Sequence, residues 1–177
     1  IKIFFAAKLD KKPQTMGTFI DEKIQENSNS VKGPGCGLYL TFQTKAKEQI
    51  QMQVGLSYTS IENARNNRDA ESAGKSFNDV KNAARQTWNE MLGRIQVEGG
   101  TPEDKTKFYT GLYHALLGRG IANDINGQYI RHDKTIGQIP LDKNGIPLYS
   151  HHNTDGMWGG FWNLTQIWTL AYPEIFS

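Results

Sequence analysis

The residues from Gln49 to Tyr58 alternate without a break, with Ile50, Met52, Val54, Leu56 and Tyr58 falling between Gln49, Gln51, Gln53, Gly55 and Ser57. A repeat of two places alternate side chains on opposite faces of a strand, so the pattern predicts a strand with an apolar, buried face and a wet one. After Ser60 the repeat changes to that of a helix. A chain that switches once from strand-like to helical patterning is expected to segregate sheet from helix, which is the α+β class. Leu38 to Gln43 and Ile1 to Leu9 are the expected partners of the Ile50 strand, with a weaker strand near Met16 to Ile24. Asn27 to Ser30 and Lys32 to Gly37 read as loops.

Helix starts are marked by side chains able to accept from free backbone N–H groups. Ser60 is placed to cap Ile61 to Asp69, and Ser76 with Asp79 has the spacing of a capping box. In that second helix Phe77, Val80, Ala84, Trp88, Met91, Leu92 and Ile95 fall on one stripe, which predicts burial of the central Trp88. Thr101, Pro102, Glu103 and Asp104 open a third helix that ends near Gly118, with Phe108, Leu112, Tyr113, Ala115 and Leu116 as its buried face. From Arg119 to Tyr149 regular patterning thins out. Asp124-Ile125-Asn126-Gly127 and Asp142-Lys143-Asn144-Gly145 each carry the Asn-Gly pair of a tight reversal, so two hairpins are expected. Their Asp-x-Asn spacing lacks the glycine and distal Glu of a helix-loop-helix calcium site.

Several chemistries are excluded by what is missing. The 177 residues carry a formal net charge of +2 with the two signs interspersed, which argues against nucleic acid or an anionic membrane as partner. No run is long enough to insert in a membrane, and Ile1 to Phe5 lacks a basic leader, so an export signal is expected upstream. The single Cys36 lies among glycines in a loop and is read as a bystander. There is no phosphate-cradling loop, no His-Glu-x-x-His and no Gly-x-Ser-x-Gly. His114, beside the apolar face of the third helix, is read as structural.

The chemically richest run lies between Tyr149 and Tyr172, where His151, His152, Asp155, Trp158, Phe161, Trp162 and Trp168 stand among Gly156, Gly159 and Gly160. Indole plates with adjacent glycine allow close approach, and an Asp and two His supply a polar rim. Such a surface suits a ligand that is part apolar and part hydroxyl, as a sugar is. The competing reading is a tightly packed helix start in which the indoles fill a core.

Val54-Gly55-Leu56-Ser57-Tyr58-Thr59-Ser60 with Ala64, Asn67 and Glu71, then Ala83, Trp88-Asn89, Leu92 and Ile95, then Phe108 to His114, then Asp124 to Tyr129, resemble the bacterial α-mannosidases of glycoside hydrolase family 92. The resemblance implies an antiparallel β-sandwich followed by linker helices and an (α/α)6 barrel. By that analogy residues 1–59 are the end of the sandwich, 60–98 the linker and 99–177 the opening of the barrel. It also implies an exported, periplasmic or surface-located, calcium-dependent hydrolysis of mannose-containing glycans with inversion. Inversion uses one carboxyl as acid and a second as base on opposite faces of the sugar. The family's acid and base, and its calcium ligands, are expected outside this chain, whose termini look cut, so the fragment alone is expected to be inactive. Its contribution is then to substrate binding, through Asp155, Trp158, Trp162, His151 and His152.

One departure bears on substrate. Where the family usually reads Trp-Asp-Thr-Tyr-Arg, this chain has Trp158-Gly159-Gly160-Phe161-Trp162, losing a carboxylate and a guanidinium that would bind sugar hydroxyls. A non-catalytic or degenerate carbohydrate-binding module is the alternative that this departure raises.

Overall fold

A computed structural model of the chain describes residues 2–117, 120–152 and 157–176. They form seven strands and six helices in an α+β order, with five strands before the first helix: β1 (Phe4–Leu9), β2 (Thr15–Ile20), β3 (Lys23–Glu26), β4 (Cys36–Thr41), β5 (Met52–Ser57), α1 (Ile61–Ser72), α2 (Phe77–Leu92), α3 (Pro102–Leu117), β6 (Gln128–Ile130), β7 (Ile136–Gln138), α4 (Met157–Gly160), α5 (Leu164–Ala171) and α6 (Pro173–Phe176). The chain divides into two compact units, one of residues Ala7–Val54 and one of Ile1–Ala6 with Gly55–Ser177.

In the smaller unit β3, β2 and β4 form an antiparallel sheet in that order. The single strand expected near Met16 to Ile24 is two, because Asp21 adopts a φ of 50° and reverses the chain between β2 and β3. The register pairs Gly17 with Tyr39 and Phe19 with Gly37. Each glycine lies under the facing ring, and a Cβ on Gly37 would come within 2.3 Å of the Phe19 ring. In the same unit, Lys11 donates to the Gln43 carbonyl at 2.6 Å and pairs with Glu48 at 2.5 Å. The Lys11 ammonium, together with the Lys45 N–H, holds the Glu48 carboxyl below its usual range.

The expected pairing of the Ile50 strand with Leu38 to Gln43 is not observed, since β4 pairs with β2 and β5 pairs with β1. Its expected sidedness is also reversed. Met52 and Leu56 are 62% and 60% exposed, with Val54 and Tyr58 exposed beside them, while Gly55 and Ser57 are buried. The reason is local: α1 lies against the face that carries the small residues. A Cβ on Gly55 would stand 2.1 Å from the Ala64 carbonyl oxygen and 2.6 Å from the Arg68 Cβ, so only glycine permits this approach.

The helix caps are as the sequence implies. Ser60 accepts from the Asn63 N–H, and Ser76 and Asp79 form a reciprocal capping box. Thr101 and Asp104 form another, with Thr101 N–H to Asp104 at 3.1 Å and Asp104 N–H to Thr101 Oγ1 at 3.2 Å. Hydrogen bonds from Ser76 and Thr101 keep the Asp79 and Asp104 carboxyls below their ordinary range.

The core of the larger unit is built from the ends of helices. Leu112, Trp168 and Tyr172 are buried, with Met91, Leu92, Ile95, Leu116 and Ile167 packed around them. The Trp168 indole donates to the Ala115 carbonyl at 3.1 Å and the Tyr172 hydroxyl to the Met91 carbonyl at 3.0 Å, so neither polar handle is left unpaired. Arg94 lies 5.1 Å from the centre of the Tyr172 ring and pairs with Glu174. Only the last part of the α2 stripe joins this core. Phe77 and Val80 are exposed, and Trp88, expected to be buried, is half-buried with its ring 4.5 Å from that of Tyr113. On α3, Leu112 is buried as expected, whereas Phe108 and His114 are exposed.

Both Asn-Gly segments are tight reversals, with Gly127 and Gly145 at φ of 81° and 78°. Each is closed by a single bridge, Asn123 to Tyr129 and Leu141 to Pro147. A third reversal at Arg131–Thr135, with Lys134 at a φ of 68°, joins β6 to β7 and carries no Asn-Gly signature.

Replacing Gly55 with Ala is expected to lower stability by about 2 kcal/mol or more through overpacking against α1, measured by chemical denaturation. Burial pushes the Tyr172 hydroxyl above the ordinary tyrosine value of 10.0, with Arg94 opposing. A raised folded-state value means the unfolded chain releases its proton first, so the contribution is intact below about pH 10 and is lost as pH rises through the folded-state value. The stability gap between the parent and Tyr172→Phe should therefore narrow above about pH 10.

Candidate functional site

Where β5 runs into α1, the side chains of Ser57, Thr59, Asn63 and Asn67 converge on Asp124, which is 4% exposed. Ser57 ends β5 and Thr59 lies in the bend that follows, its N–H donating to Ser57 Oγ at 3.0 Å; Asn63 and Asn67 stand four apart on a helix and share a face. Asp124 Oδ2 accepts from Ser57 Oγ at 2.9 Å, from Asn63 Nδ2 at 3.0 Å and from the Thr59 hydroxyl. Its Oδ1 accepts from Asn67 Nδ2 at 2.7 Å.

The reversal that carries Asp124 is held by the same amides. Asn67 Oδ1 accepts the Ile125 N–H at 2.9 Å, Asn126 Nδ2 donates to Asn63 Oδ1 at 2.9 Å, and Asn63 Nδ2 reaches Gln128 Oε1 at 2.6 Å. Burying a carboxylate is costly unless it is paired or fully hydrogen-bonded. Here the compensation comes from neutral donors, and hydrogen bonds to a charged group contribute about 1.5–3 kcal/mol each.

In the sequence Asp124 reads only as a turn residue and as part of the family resemblance. The missed signal was an amide pair four residues apart on the inner face of α1, directly after Ser57-x-Thr59, where apolar residues would ordinarily sit. Among the described residues no three His, Cys, Asp or Glu side chains gather as metal ligands. Asp124 is occupied by its donors, and Asp142 accepts the Asn144 and Ile146 N–H groups at 2.8 Å. These two carboxylates are therefore committed to hydrogen bonds within the described residues.

Of the residues singled out from the Tyr149–Tyr172 run, His151 and His152 lie beside this network. His151 N–H donates to Asn123 Oδ1 at 2.7 Å, its carbonyl accepts the Ala122 N–H at 2.7 Å, and its imidazole is 4.4 Å from the Tyr129 ring at a 32° tilt. His152 forms an antiparallel bridge with Ile121. Trp162 is 72% exposed, with the Phe161 ring 5.0 Å away. Trp158 has its backbone in α4, and its side chain lies outside the described residues, as does Asp155 altogether. Trp168, from the same run, belongs to the core, so the packed-core reading holds for that indole and not for Trp162.

The glycosyl hydrolase family 92 N-terminal domain matches residues 1–57, and the glycosyl hydrolase family 92 catalytic domain matches residues 63–177. The chain belongs to glycosyl hydrolase family 92. The two matches meet at the Asp124 network: Ser57 is the last residue of one, Asn63 the first of the other, and both donate to Asp124 Oδ2.

No curated protein sequence matches the chain. Solved structures do. A family 92 inverting mannosidase from Bacteroides thetaiotaomicron is 25% identical with a TM-score of 0.86, over 98% of this chain and 23% of that one. A second family 92 α-mannosidase from that organism, in complex with mannoimidazole, is 24% identical with a TM-score of 0.80, over 98% and 22%. A family 92 glycosyl hydrolase, ccman5, is 23% identical with a TM-score of 0.84, over 98% and 22%. The latter two establish the fold alone. The family 92 chain described here thus spans about a quarter of the length of these solved relatives.

Asp124→Asn preserves shape but sets an amide N–H₂ among hydroxyl and amide donors. It should cost about 3 kcal/mol in denaturant unfolding, the scale of a buried donor left without its acceptor.

Proposed function

We propose that this chain is the part of an exo-acting α-mannosidase-like family 92 hydrolase that contributes substrate contacts, while the catalytic acid and base lie in other segments. The observation that carries the reading is the pair of family matches, over residues 1–57 and 63–177, together with the likeness to an inverting mannosidase. The substrate is a mannose-containing glycan, and the division into a sandwich portion 1–59, linker 60–98 and barrel opening 99–177 belongs to the same reading. Inversion, calcium dependence and export rest on the family resemblance.

Asp155 and the two histidines would accept or donate hydrogen bonds to sugar hydroxyls, and Trp158 and Trp162 would offer ring faces to the apolar side of the sugar. Gly159 stands where the family usually has Asp, and no described atom lies within 4 Å of where its Cβ would be. The missing carboxylate is therefore not excluded by crowding from described residues. In a protein of the relatives' full length that contains this segment, Asp155→Ala should lower kcat/KM on an aryl α-mannoside about tenfold or more, with melting temperature nearly unchanged. Parent-level activity would remove Asp155 from the site.

The exposed Phe161–Trp162 pair favours a second reading, a binding module that stacks on sugars without cleaving them. Calorimetry with methyl α-mannoside alongside a turnover assay separates the two, since binding without hydrolysis of any α-linked glycan favours the module.

A further inference from the structure

His151 is gripped more firmly than a surface histidine needs to be. Its backbone is pinned on both sides, the N–H by the Asn123 side chain at 2.7 Å and the carbonyl by the Ala122 N–H at 2.7 Å. Its ring lies against Tyr129, with centres 4.4 Å apart. The grip is anchored in turn. Asn123 Nδ2 donates to the Asp124 carbonyl at 2.9 Å, so the amide that positions His151 is oriented by the residue at the centre of the buried network. Asn123 and Tyr129 also face each other across the bridge that closes the Asp124 reversal. No described residue hydrogen-bonds either ring nitrogen of His151, and the side chain is half-buried. An imidazole held at backbone and ring face, whose ring nitrogens no described residue engages, is prepared to hydrogen-bond a ligand without losing much rotamer freedom on doing so.

Resting on the functional reading above, we propose that Asn123 and Tyr129 are positioning residues that set His151 to bind a hydroxyl of the mannoside, Asn123 through its carboxamide oxygen and Tyr129 through its ring face. The two residues act through different atoms. Tyr129→Phe keeps the ring face that lies against His151, while Tyr129→Ala removes it. Asn123→Asp keeps an acceptor for the His151 N–H but loses the donor to the Asp124 carbonyl that orients it, while Asn123→Ala loses both.

The test uses the full-length protein containing this segment, with KM and kcat measured on an aryl α-mannoside. Asn123→Ala, Tyr129→Ala and His151→Ala should each raise KM about five- to tenfold with kcat within about twofold, the effect of one lost hydrogen bond to bound ligand. Tyr129→Phe should recover most of that loss, and Asn123→Asp, which keeps the acceptor without the orienting donor, only part of it. In a His151→Ala background, Asn123→Ala should raise KM no further, because a residue acting through His151 has nothing left to position. A merely structural role would instead give additive losses in the double variant, and that outcome overturns the proposal. So does a parent-like KM in either Asn123→Ala or His151→Ala while the parent hydrolyses mannosides; the functional reading survives both results. A parent that neither cleaves nor binds any α-mannoside defeats the functional reading and this proposal together.

Discussion

A carboxylate buried among neutral donors is the constraint around which the larger unit is arranged. Asp124 is tolerated in the interior because four side chains, from a strand end, a connecting turn and a helix, each turn a donor toward it. Those donors are useful only if β5, α1 and the Asp124 reversal stand in one mutual geometry, since a half-satisfied buried polar network is worse than an apolar one. The network therefore acts as a specification. Leu or Val at Ser57 and Asn63 would bury more apolar surface and would leave the position of the reversal undetermined.

From this centre the arrangement extends in two directions. Toward α1 it demands the glycine at 55, because amides on the helix can reach Asp124 only if the strand and helix backbones come close. Toward the histidines it runs through Asn123, whose amide takes its orientation from the Asp124 carbonyl and passes it to the His151 N–H. The Trp168–Tyr172–Leu112 core is a separate device. It fastens α5 to α2 and α3 by ordinary apolar burial, and its two polar handles are capped on backbone carbonyls.

Much was legible in the residues one at a time. The capping side chains at Ser60, Ser76 and Thr101 act within a single turn, and the Asn-Gly reversals within four residues, so local chemistry determines both. The change from a two-residue to a helical repeat at Ser60 likewise set the order of the α+β fold. The blocks that resemble family 92 were readable for the same reason, being short stretches whose residue types and spacings appear directly in the sequence.

What the tertiary structure decided is which face of each element is covered. Alternation in β5 shows that its two faces differ but not which one meets α1, and it is the small face of Gly55 and Ser57 that does so, leaving Met52 and Leu56 exposed. The α2 stripe is continuous in sequence, yet only the part from Met91 onward reaches the core, so Trp88 is half-buried. Asp124 lies 67 residues from Ser57 along the chain, and no periodicity connects residues so far apart. Local sequence can specify a turn, a cap or a repeat; a charge satisfied by donors from three elements exists only once the chain has folded them together.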